Sequence, residues 1–277
     1  MKHTHKLSMT RRSFIAFLRR ASSALALTTG LLGTATLSWA GRSCENKPLQ
    51  VAAISQGLGL AERTIQRLND SGEQVVVIAR VGQDLSQYGL RYSHLGFAYK
   101  DGGVWRVLHK LNHCGSDRAS VYREGMGDFF LDAPHEYIAG VMPLRKDVQQ
   151  RLLPYLKEPY LGAGIHTRAY SMVAYPWATD YQQSNQWALE TLAVAMSARD
   201  GSRRAAQDWL RREGYEPTEL HLSTLKRLGA RITSANVSFD DHPTLLRLSG
   251  RIRTVTVDSV MAWLQRSGLG VAQWVVR

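Results

Sequence analysis

Apolar residues recur at three- and four-residue steps through Val51, Ile54, Leu58, Ala61, Ile65 and Leu68, which predicts an amphipathic helix over 48–68. Asn69-Asp70-Ser71-Gly72 stops it, and the unbroken run Val75-Val76-Val77-Ile78-Ala79 reads as a buried strand. Two further strands, 92–100 and 104–111, are joined by Asp101-Gly102-Gly103 as a hairpin. The Gly-rich stretch that follows, up to residue 135, reads as irregular. Beyond it the pattern predicts a strand over 137–144, a helix over 147–156 ended by Pro159, and a strand over 169–175. A helix then runs from Ser184 to Met196. In the last third, helices are expected near 203–212 and 220–228, and strands within 245–257. Asp258 is the N-cap of a short helix, and a final strand covers 271–276. The helices on either side of Gly214 read as a packed pair rather than a DNA-reading motif.

Such a mixture, with a hairpin at its centre, specifies an α+β fold: an antiparallel sheet with packed helices. The expected organisation is a core over 41–200 and a C-terminal α/β extension over 201–277.

The first forty residues differ from the rest. Lys2, Lys6, Arg11, Arg12, Arg19 and Arg20 occur with no acid among the first twenty, and 21–40 carries no charge before Ser38-Trp39-Ala40. A basic region, an apolar region and a small-x-small site make a signal peptide over 1–40. Thr10-Arg11-Arg12-Ser13-Phe14-Ile15 resembles a twin-arginine export address. No lipobox cysteine is present, so a periplasmic or secreted protein with no stable membrane span after cleavage is expected. The net charge of +12 is then half explained by the signal, and the remainder forms no nucleic-acid-binding stripe. In an oxidising compartment Cys44 and Cys114 are expected to pair as a disulfide, the competing role being that one is a nucleophile.

Chemistry concentrates in two segments. In Tyr92-Ser93-His94-Leu95-Gly96-Phe97-Ala98-Tyr99, a two-residue turn at Asp101-Gly102 sets His94 directly opposite His109. A turn at Gly102-Gly103 still leaves the two on one face, whereas a three-residue loop would separate them onto opposite faces. Such a pair suits a base held in one tautomer by a second polar group. In Tyr181-Gln182-Gln183-Ser184-Asn185-Gln186-Trp187, Ser184 stands at a helix start. That position suits an N-cap, or a nucleophile near free backbone N–H groups. Asn112 is a substitute orienter for the base. Cys44, ahead of the first helix, offers another nucleophile. His94, His109 and His113 come nearest to a metal set but lack a recognisable ligand spacing, so no metal and no cofactor are expected. His135, His166, His221 and His242 read as surface or loop residues.

Ser93-His94-Leu95-Gly96-Phe97 followed much later by a nucleophile-bearing helix resembles circularly permuted NlpC-type papain-like hydrolases. The order Cys44, His94, His109 resembles the unpermuted enzymes. More closely, the chain resembles a bacterial family of exported proteins catalogued as a domain of unknown function. The matching stretches are Arg91 through Gly96, His113-Cys114, Glu124 through Phe130, and Tyr181 through Glu190. In relatives of that type the position of Ser184 is often cysteine, whose thiolate forms far more readily than a serine alkoxide. Two functions follow. One is an envelope hydrolase of amide or ester bonds, with Ser184 as nucleophile, His94 as base, and His109 or Asn112 as orienter. The other is a non-catalytic papain-like module that binds a cell-envelope peptide, glycan or lipid.

Overall fold

The computed structural model describes residues 48–132, 134–158, 164–197, 201–222 and 235–277. The expected signal segment and Cys44, and with it the Cys44–Cys114 pairing, lie outside the described residues. The first half of the fold comprises α1 (Val51–Asp70), β1 (Val75–Val81), β2 (His94–Asp101), β3 (Val104–Asn112), β4 (Ala119–Gly125) and α2 (Met126–Leu131). It continues with β5 (Glu136–Pro143), α3 (Lys146–Lys157), α4 (Ser184–Ser197) and α5 (Arg203–Arg212). The remainder is β6 (Thr218–His221), α6 (Thr244–Leu248), β7 (Arg251–Thr254), α7 (Val257–Arg266) and β8 (Trp274–Val276).

Six strands form one antiparallel sheet in the order β4-β3-β2-β1-β5-β8, and β6 pairs with β7 in a separate ribbon. Every residue of β1 is buried, because helices cover both faces of the sheet's centre. On one face Val77, Leu95, Phe97, Tyr99 and Leu108 pack with Val148, Trp187, Leu192, Leu210 and Trp263 from α3, α4, α5 and α7. On the other, Val76, Ile78, Ala98 and Val107 meet Leu60, Ala61 and Leu68 of α1 and Phe129 and Phe130 of α2. α1 runs along this second face: Gly57 abuts Phe130 and Leu131, whereas Asn69 accepts from Trp105 Nε1 near the hairpin tip.

Several elements depart from the sequence expectation. β4 and α2 lie inside the stretch read as irregular. β4 is an edge strand in which Tyr122, Arg123 and Glu124 put polar residues on both faces, so it lacks the apolar alternation of a half-buried strand. No strand forms over 169–175 beyond a bridge from Ala169 to Arg118. That segment is held by a loop instead, with Met172 N–H donating to Asn236 O and Ser171 Oγ to Ser238 O. Leu220 and His221, expected to start a helix, belong to β6, and the rest of that expected helix lies outside the described residues from 223 on. The expected strand region 245–257 divides into α6 and β7 at Gly250, whose φ of 77° breaks both. Residues after 201 contribute β8 to the main sheet and Trp263 to the main core.

Candidate functional site

Phe97 pairs with Leu108 and Asp101 with Val104, so Gly102-Gly103 forms the turn, both with positive φ. His94 and His109 therefore share a face as diagonal neighbours, and the directly opposed pairing is not formed. Their side chains point toward α1 and α2. His94 Nε2 lies 2.9 Å from His109 Nδ1, and His109 Nε2 lies 2.9 Å from Glu124 Oε2 on β4. The Phe129 ring packs on both imidazoles, at 5.9 and 5.3 Å between centroids. Behind it the Arg80 guanidinium donates to Phe129 O at 2.6 Å and pairs with Asp132.

This chain of contacts sets the proton positions. The hydrogen bond from His109 holds the Glu124 carboxyl below its ordinary pKa, so it is an ionised acceptor. Burial, reinforced by the charge of Arg80, holds His94 well below its ordinary value. Burial also lowers His109, against the pull of Glu124. Both rings are neutral at neutral pH. His109 then donates through Nε2 to Glu124 and accepts at Nδ1 from His94 Nε2–H. The lone pair of His94 is left at Nδ1.

Ser184 is not brought to this pair. α4 packs on the opposite face of the sheet, and the Ser184 hydroxyl bonds to Tyr170. Its neighbours form a buried polar lattice. Gln182 Nε2 donates to Glu190 Oε2 at 2.6 Å, Gln183 Nε2 to Thr254 Oγ1 at 2.6 Å, and Asn185 Oδ1 accepts from Leu95 N–H at 3.1 Å. Lys110, fully buried, donates to Gln182 Oε1 at 2.9 Å, and burial together with the Arg203 charge lowers its pKa to about 6. The polar helix start that reads as a nucleophile segment is thus an anchor between β2, β7 and the loop before α4.

Asn112 donates to His113 O at 3.4 Å and does not reach His94. His113 Nε2 instead lies 2.8 Å from Ser120 Oγ. Among the described residues no group of three His, Cys, Asp or Glu side chains is arranged to hold a metal ion. His242, expected at the surface, is buried between Asp241 Oδ1 at 2.9 Å and Arg253 O at 2.8 Å, which satisfy both ring nitrogens. Glu124 and Ser120 escaped the sequence reading. Their signal is the period-two series Ser120, Tyr122, Glu124, legible only once β4 is taken as a strand.

The sequence profile of a family described as "Uncharacterized protein conserved in bacteria (DUF2145)" matches residues 67–264. No curated protein and no solved structure matches the chain. Among the described residues no helix is long and apolar enough to cross a membrane.

Proposed function

The chain belongs to this family of uncharacterized bacterial proteins, and from that premise we propose that it is an exported cell-envelope hydrolase of amide or ester bonds. The observation that carries the reading is the Glu124–His109–His94 chain, which leaves one imidazole lone pair at His94 Nδ1. A neutral, oriented imidazole is the requirement for a general base, and here the orienting group is itself fixed by a carboxylate. The first forty residues support export. A strand-borne histidine with a second on the neighbouring strand supports likeness to NlpC-type sites, with the base on the α1 face rather than at α4.

The full chain is to be assayed against p-nitrophenyl esters and purified cell-wall peptides. Turnover is expected to fall on the order of 10²–10⁴-fold in His94→Ala, the usual worth of a general base. Equal turnover by both proteins would sink the proposal. The 9% exposure of His94 favours the second reading, a non-catalytic module for an envelope peptide, glycan or lipid. That reading requires saturable binding of such a ligand with no turnover.

A further inference from the structure

A base at His94 leaves the nucleophile unnamed, and the same face of the sheet carries a serine already bonded to an imidazole. Ser120 is the second residue of β4, and alternation puts its side chain with those of Tyr122 and Glu124, on the face of His109. Its Oγ lies 2.8 Å from His113 Nε2, within the reach that nucleophile and base require. Both residues are half-buried, and β4 is the outermost strand of the sheet, so the pair is approachable in a way Ser184 is not.

His113 is also held in place. Its backbone N–H donates to Arg118 O at 2.7 Å, and its backbone carbonyl accepts from Ser116 N at 3.1 Å, Ser116 Oγ at 3.3 Å and Asn112 Nδ2 at 3.4 Å. Ser120 pairs with Leu111, and extending the β2–β3 register sets His94 on the other side of Leu111. Ser120 and His94 are therefore two strands apart, on the order of 10 Å by strand spacing, although Glu124 of the relay shares the strand of Ser120. His113, rather than His94, is the imidazole within reach of Ser120.

We propose that Ser120 is the nucleophile of an acyl-transfer site for carboxylic esters or amides, with His113 as its base, resting on the hydrolase reading above. Ser120 Oγ forms a bond to the acyl carbon as its proton passes to His113 Nε2. The bond to the leaving alkoxide or amine then breaks, and that group takes the proton from His113. Water then attacks the acyl-serine, giving its proton to the freed His113 Nε2. The bond from Ser120 Oγ to the acyl carbon breaks, Oγ takes the proton back from His113, and the carboxylic acid departs.

The test is labelling of the full chain with a biotinylated fluorophosphonate, with the modified residue located by peptide mass spectrometry. Label on Ser120, reduced at least tenfold in His113→Ala and absent from Ser120→Ala, is expected. Melting curves of both variants exclude unfolding as the cause. A folded wild type with no label on Ser120 overturns the proposal. Turnover that depends on His94 while Ser120 stays unlabelled retires the serine and keeps the hydrolase reading. Label on Ser120 with turnover unchanged in His94→Ala keeps the serine and retires the relay.

Discussion

His109 Cβ would lie 2.8 Å from a Cβ built on Gly96, and Leu108 O would lie 2.9 Å from it. The His94–His109 contact thus depends on residue 96 having no side chain, since both distances are below what real Cβ atoms tolerate. Gly96→Ala is expected to push β2 away from β3 and cost about 1–3 kcal/mol, the usual penalty of overpacking. Urea denaturation of the two proteins measures it. A midpoint unchanged by the substitution would mean that the strands separate freely here.

The tautomers form a second prediction. Long-range ¹⁵N–¹H spectra at pH 7 should show His94 and His109 both protonated at Nε2, as the ionised Glu124 dictates. In Glu124→Ala the His109 tautomer is no longer enforced, and mixed tautomers should appear at both rings. Activity should fall by roughly tenfold or more, because only one orientation presents the Nδ1 lone pair of His94. An unaltered imidazole spectrum in the variant would show that Glu124 does not set the chain.

How far this arrangement was legible in the sequence depends on which signal each part carries. The β2–β3 hairpin and α5 were readable because apolar periodicity and the Gly102-Gly103 turn are local properties. The shared face of His94 and His109 followed from alternation once the turn has two residues, since a three-residue loop would have separated them. Glu124 was hidden because β4 shows no apolar alternation to mark it as a strand. Ser184 misled for a different reason. A polar residue at a helix start signals a cap or a site, and nothing local reveals that Gln182, Gln183 and Asn185 are satisfied by Glu190, Thr254 and Leu95 across the fold.

The buried bases divide the pH dependence of stability into two windows. His94 and His109 have folded pKa values below the ordinary 6.5, so below that pH the unfolded chain binds protons that the folded chain refuses. Their contribution is full above 6.5 and is lost as pH falls, with a slope up to about 1.4 kcal/mol per pH unit for each proton. Lys110, folded at about 6 and ordinarily 10.5, acts in the same direction between those values. Urea midpoints should therefore rise from pH 5 to pH 9. His94→Gln should flatten the lower part and Lys110→Met the upper. A midpoint that falls with pH in the wild type contradicts both assignments.

The expected pairing of Cys44 with Cys114 has a direct measurement. Peptide mapping of the protein without reductant should yield one cross-linked peptide containing both residues. Recovery of Cys44 as a free thiol would return it to consideration as a nucleophile.

The anchor around α4 should be the most sensitive structural site away from the imidazoles. Glu190 is 1% exposed and Arg203 8%, and the carboxylate accepts from Arg203 Nε at 2.8 Å, Gln182 Nε2 at 2.6 Å and Gln207 Nε2 at 2.8 Å. Removing one partner of such a pair leaves the other charge buried, so Glu190→Ala is expected to cost about 3–5 kcal/mol. Glu190→Gln keeps an acceptor and the volume while losing the charge, and should cost less. Because Gln182 also accepts from Lys110 Nζ, a Glu190→Ala/Lys110→Met double variant should lose less than the sum of the single changes. Strict additivity in a double-mutant cycle would show that the two ends of the lattice act independently, and that the polar start of α4 is held by local bonds alone.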